Sequence, residues 1–152
     1  MSNMTSAETK AEHGPETVPA FGYELIREEI LTDMLGKDAA EILYWAGKRL
    51  ARKYPLESME AVIEFFENAG WGNLAVKEEK RSEMELQLSS PLFARRFKEN
   101  PDCTFQLEAG FLAQQLESQK ELLSEAFEHP KKRGGLVLFT VKWDKKDRIS
   151  PL

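Results

Sequence analysis

Few side chains in this sequence are suited to covalent chemistry. Cys103 is its one cysteine, and His13 and His129 are its two histidines. A nucleophile needs a base held against it and a third group to orient that base. His13 lies in a polar N-terminal stretch and His129 beside a turn. No His-dependent catalytic set is expected, and the chain is read as a non-enzyme. Cys103 is either a reactive thiol or a small buried hydrophobe, and a place at a helix start would lower its pKa. Glu125, Glu128 and His129 would share a face on a helix, as metal ligands do. On a strand, Glu125 and His129 point one way and Glu128 the other, so no metal is expected.

Other groupings are weaker. Glu28-Glu29 and Glu78-Glu79 have the chemistry of an acid and base pair across a glycosidic bond, but as neighbours on a helix face and in a turn they read as solvated charges. Gly70-Trp71-Gly72 lacks the third glycine and the strand-to-helix setting of a phosphate cradle, so it reads as a helix stop. Lys131 to Arg133 form a basic turn, either a solvated hairpin tip or a contact for an anion or partner. The aromatic residues carry more. Tyr44, Trp45, Trp71, Phe93, Phe111, Phe127 and Phe139, with Cys103, are the candidate lining of an apolar ligand pocket, and Trp143 belongs with them. The alternative is that these rings fill the core. Trp45 lies on the flank of its helix stripe, where it suits a dimer anchor.

The elements that must position these residues follow from spacing. Residues 1–21 are polar and are expected to be a disordered tail. Leu25, Ile26, Ile30, Leu31, Met34 and Leu35 recur at three- and four-residue steps, predicting an amphipathic helix ended by Gly36. Asp38 is placed to cap a second helix with the stripe Ile42, Leu43, Ala46, Leu50 and Tyr54, stopped by Pro55. A third helix, about Leu56 to Asn68, buries Met59, Val62, Ile63 and Phe66. The period then changes to two. Leu74 and Val76 lead through a turn at Glu79 to Ser82 into Met84, Leu86 and Leu88, a hairpin with one face in the core. Ser90-Pro91 starts a short helix carrying Leu92, Phe93 and Phe97. After Asn100-Pro101 comes a longer helix with Phe105, Phe111, Leu112 and Leu116, whose Gly110 permits another backbone to approach. A second hairpin closes the chain, with strands over Leu122 to Glu128 and Leu136 to Trp143. Leu136 and Leu138 make the last strand apolar on both faces, which predicts a central strand or a covered edge.

This is an α+β fold: an antiparallel sheet of two hairpins, order ααα-ββ-α-ββ, packed by helices. It forms one domain over residues 22–146, with a short tail at 147–152. The 152 residues, 41% hydrophobic and 31% charged, suffice for one core. A net charge of -5 argues against a nucleic-acid partner, whose phosphates call for clustered cations. There is no apolar run long enough to span a membrane and no signal-peptide core. The single cysteine fits a reducing compartment, and the cytoplasm is expected.

Leu35-Gly36 through Ala39, Glu41 to Tyr44, Gly47 and Arg49, with Cys103, Phe105 and Gly110 to Ala113, resemble vinyl-reductase-type domains. These are small-molecule-binding relatives of the haem-nitric-oxide and TRAPP-subunit transport folds. Glu24 to Glu28, Tyr44 to Lys48, Gly70 to Gly72 and Val141 to Asp144 resemble the YslB-like family of bacilli, which has no assigned activity. The resemblance implies the fold and a small apolar ligand or protein partner; its TRAPP-type branch implies an acyl acceptor at Cys103. The sequence departs from zinc-holding relatives, which carry cysteines in the last hairpin, and from haem-binding relatives, which use a helical histidine. Neither cofactor is expected. The resulting expectation is a ligand-binding or interaction module that forms a homodimer, with a pure scaffold protein as the alternative and an enzyme using Cys103 as the third.

Overall fold

The computed structural model describes residues 16–148. The predicted tails therefore lie outside the described residues as far as residue 15 and from residue 149. Helix begins at Ala20, two residues ahead of the expected domain start. The first helix, α1, is an α segment Ala20–Glu24, a π-helical segment Leu25–Ile30 and an α segment Leu31–Leu35. None of its residues is buried, and Ile26, Ile30 and Met34 face outward. Of the expected apolar spacing, Leu25, Leu31 and Leu35 are the half-buried members, so the helix is amphipathic with part of its apolar set left outside. Polar contacts, described below, hold this helix.

A 3-10 turn, Gly36–Asp38, leads into α2, Ala39–Lys53. Gly36 takes φ +67°, a conformation only glycine adopts freely. The side chain of Asp38 makes no capping bond; the turn already supplies Gly36 O to the Ala39 N–H. The inward face of α2 is Gly47 and Ala51 rather than the larger stripe, because small residues let α5 come close. The third helix, α3, Met59–Asn68, starts where Ser58 Oγ accepts the Ala61 N–H at 3.1 Å. It buries Val62 and Phe66 and stops before Gly70, at φ +74°.

Strands β1, Asn73–Glu79, and β2, Glu83–Ser89, form the first hairpin. β2 alternates as predicted, with Met84, Leu86 and Leu88 buried. In β1 only Leu74 is buried, and Val76 is exposed because β1 is an edge strand. Ser90 Oγ accepts the Leu92 N–H at 3.2 Å and opens the short α4, Phe93–Glu99. The long α5, Gln106–Lys120, ends at Glu121 in a left-handed conformation. β3, Leu122–Lys131, extends past the expected Glu128, and a 3-10 turn, Lys132–Gly134, joins it to β4, Leu136–Arg148.

The sheet is antiparallel with order β1-β2-β4-β3. β4 is therefore central, which accounts for its two apolar faces. Val137, Phe139, Val141 and Trp143 point into the core. α5 packs between α2 and the sheet, and every residue from Glu108 to Glu117 is buried. Among the described residues no helix is long and apolar enough to cross a membrane.

Candidate functional site

The structure does not bring the predicted pocket residues to one place. Trp71 and Phe111 stack edge to face at 5.2 Å, within a cluster completed by Phe65 and Phe66. Phe93 packs on Phe105 at 4.9 Å and Phe97 at 6.2 Å. Phe139 is buried on the inner face of the sheet. Tyr44 spans from α2 to β3, where its Oη accepts the Ala126 N–H at 3.0 Å. Burial pushes that phenol above its ordinary pKa. These rings are spent on one another and on the core. Trp45 and Phe127 are 55% and 43% exposed, with Arg49 and Lys142 over their faces.

Cys103 stands apart from the rings. It borders a cleft of about 370 Å³ walled by α1 (Arg27, Leu31) and α2 (Ala40, Leu43) and floored by the link into α5 with Leu107. Of the eight residues expected to line a pocket, Cys103 alone borders this cleft. It lies in a turn, its N–H donating to Asn100 O at 3.0 Å, ahead of α5 rather than at its start. Burial, then the charge of Glu28, pushes the thiol up to about 11. The helix start itself is taken by Glu128 of β3, whose carboxylate accepts the Phe105 N–H at 3.0 Å and a bond from Gln106 Nε2. Burial holds the Glu128 carboxyl above its ordinary pKa, although both bonds oppose this.

The wall that α1 gives the cleft is anchored by charge. Arg27 Nη2 lies 2.8 Å and 2.7 Å from the two carboxylate oxygens of Glu108, a fully buried residue of α5. Its Nε donates to Glu28 at 3.1 Å, and Glu28 also accepts from Asn100 Nδ2 at 3.1 Å. Arg96 of α4 grips Glu24 through Nε and Nη2 at 2.9 and 2.7 Å. Burial opposes the charge on Arg27, but Glu108 overcomes it, and the guanidinium is held above its ordinary pKa. Both guanidinium groups lie against the Phe105 ring, at 5.7 and 5.4 Å. The reading of Glu28 as a solvated charge is thus corrected: Glu29 is exposed, whereas Glu28 turns inward onto Arg27 and Asn100.

The other groupings resolve simply. Glu78 and Glu79 pair with Lys80 at 3.9 Å and Lys120 at 3.6 Å on the surface. Gly70 and Gly72, at φ +74° and +135°, turn the chain from α3 to β1. Glu125, Glu128 and His129 alternate along β3, and His129 Nε2 meets Thr140 Oγ1 at 3.3 Å. Lys131 to Arg133 are exposed. Sequence reasoning missed the buried polar set on α5. Gln115 accepts the Leu56 N–H at 3.1 Å and donates to Tyr54 O at 2.8 Å, and Glu117 accepts the Ser124 N–H at 3.2 Å. Polar residues on every side of one helix were the available signal, because such residues are buried only when paired.

Comparison with known proteins agrees with this architecture. The chain is 49% identical over 130 residues to the uncharacterized protein YslB of Bacillus subtilis (strain 168), covering 86% of this chain and 88% of YslB. A vinyl-4-reductase family protein of Methanocaldococcus jannaschii has a similar fold, with a TM-score of 0.62 at 23% identity over 92% of this chain and 89% of that one. A trafficking protein particle complex subunit 3 from Naegleria fowleri, covalently bound to palmitic acid, aligns with a TM-score of 0.45 at 11% identity, covering 95% of both chains. Residues 20–142 match the family described as protein of unknown function (DUF2507), and the chain belongs to that family.

Proposed function

We propose that this protein is a non-enzymatic interaction module that pairs with a second copy of itself through the outer face of α1 and α2. One observation carries the reading. Of the ten exposed large hydrophobics among the described residues, Phe21, Ile26, Ile30 and Met34 belong to α1, and Ile42 and Trp45 to α2. Apolar surface gathered on two successive helices is favoured under a partner, at about 25 cal/mol per Å² covered. Charge supports the same partner. α1 bears the exposed acids Glu29 and Asp33, and α2 bears exposed Arg49, Arg52 and Lys53. A two-fold pair sets each acidic helix against the basic helix of the other copy. Trp45, with Arg49 5.0 Å over its ring, has the composition of an interface anchor. Two further facts favour a module without chemistry: the Cys103 thiol is pushed away from its reactive form, and His129 is engaged by Thr140.

Sedimentation velocity tests the pairing. The wild-type chain is expected near twice 17.4 kDa, and a variant carrying Ile30→Glu and Trp45→Glu near 17.4 kDa. A wild-type monomer at the highest soluble concentration sinks the reading. A second role, holding a small apolar ligand, is favoured by the cleft beside Cys103, whose size falls in the range of ligand sites. Native mass spectrometry of protein from its own host, set against the denatured mass, would show the ligand as added mass.

A further inference from the structure

A second concavity, of about 770 Å³, opens where the β1–β2 turn, the start of β3 and the end of β4 meet α2 and α5. The sheet itself makes the opening. Leu122 pairs with Arg148 but Ser124 pairs with Trp143, so two steps along β3 are matched by five along β4. The surplus residues of β4 bulge out, and such bulges redirect side chains at the rims of sheets. Trp143 fixes the opposite rim: its Nε1–H donates to Arg81 O at 3.1 Å, and its backbone N–H donates to Ser82 O at 3.0 Å.

Four cations and three acids line this groove. Lys48, Arg81, Lys142 and Lys145 line it, and no described carboxylate lies within ion-pair distance of any of them. Glu117 is buried against the Ser124 N–H, and Asp144 has an interaction of its own. Glu125, set across from Lys142 in the strand register, is the remaining acid. Lys48 and Lys142 lie over the Tyr44 and Phe127 rings, whereas Arg81 and Lys145 have no described carboxylate or ring against them, so the positive charge of the groove is least compensated at those two. Half-exposed Leu123 supplies an apolar wall.

From this combination we propose that the groove binds a small organic anion: a carboxylate, sulfonate or phosphate carried on an apolar body. The cations hold the acidic group and the Leu123 wall meets the body. The site is separate from the outer apolar face of α1 and from the cleft beside Cys103.

Two dyes that share one aromatic body test it: anilinonaphthalene sulfonate, which is charged, and N-phenylnaphthylamine, which is neutral. Both are titrated by fluorescence against wild-type protein, an Arg81→Ala/Lys145→Ala variant and an Ile30→Glu/Trp45→Glu variant. Arg81 and Lys145 are exposed, so their removal leaves the core intact. The charged dye is expected to bind wild type at least about tenfold more tightly than the neutral one and to lose about tenfold in the first variant. Its affinity is expected to hold in the second variant. The neutral dye is expected to bind wild type and the first variant alike. The indole N–H signal of Trp143 is expected to shift as the charged dye is added. Equal affinity of the two dyes, an unchanged charged-dye affinity in the first variant, or its loss in the second overturns the proposal.

Discussion

Gly47 of α2 and Gly110 of α5 occupy one helix crossing, each against the backbone of the other helix. A Cβ on Gly110 would overlap the Tyr44 carbonyl oxygen, and one on Gly47 would overlap Leu107 O and lie 2.8 Å from Phe111 N. Backbone cannot yield as a flexible side chain does, so the helices would have to separate. Gly110→Ala is expected to cost about 2 kcal/mol or more, against about 1 kcal/mol gained in helix propensity. The melting temperature should fall by several degrees. Gly134→Ala, whose Cβ would meet only Leu136 side-chain atoms at 3.6 and 3.7 Å, should be near neutral.

The Arg27–Glu108 pair predicts a non-additive result. Arg27→Met alone strands a fully buried carboxylate and is expected to cost about 3–5 kcal/mol in urea unfolding. Adding Glu108→Leu removes the stranded charge, so the double variant should recover a substantial part of that loss. A double variant less stable than Arg27→Met would refute this account. Hydrogen exchange in α1 should rise in Arg27→Met, because this pair is one of the contacts tying α1 to α5.

Glu128 acts as a helix cap supplied from another element. Glu128→Ala is expected to destabilise the protein by about 1–2 kcal/mol, the usual cost of a lost cap. Glu128→Gln, which keeps an acceptor for the Phe105 N–H, should cost less. Denaturant titration of the two variants checks the order, and equal losses in both would contradict the cap.

The Cys103 thiol, raised to about 11 from an ordinary 9.0, sets a pH window. The folded state holds the proton more tightly than the unfolded state, so the contribution is complete below pH 9 and is lost as pH rises toward 11. Alkylation by iodoacetamide at neutral pH should be much slower in the folded protein than in urea. The part of the stability loss between pH 9 and 11 that belongs to this thiol should vanish in Cys103→Ser. Rapid labelling of the folded protein at neutral pH would contradict the shift.

Legibility in the sequence tracked the simplicity of each environment. β2 has one core-facing side, so Met84, Leu86 and Leu88 announce themselves by alternation, and Leu136 and Leu138 pointed correctly to a central or covered place for β4. α5 lacks that contrast: buried all round, it sets Glu108, Gln114, Gln115 and Glu117 beside Phe111 and Leu112, and periodicity has nothing to distinguish. In α1 the apolar spacing was visible but not its direction, because the partners that orient it, Glu108 and Arg96, lie 81 and 72 residues away. Cys103 was legible as a residue of interest. Its neighbours in the cleft were not, since an adjacent Glu28-Glu29 pair gives no sign that one member turns inward.

The π-helical segment Leu25–Ile30 sets a phase. One wide turn accommodates a residue that an α-helix would have carried about 100° further around its axis. Deleting a single residue here would let the turn close into ordinary α-helix with Glu24 still on Arg96 and Leu31 and Thr32 still on the cleft, whereas forcing all six residues into α geometry would swing those two side chains away from it.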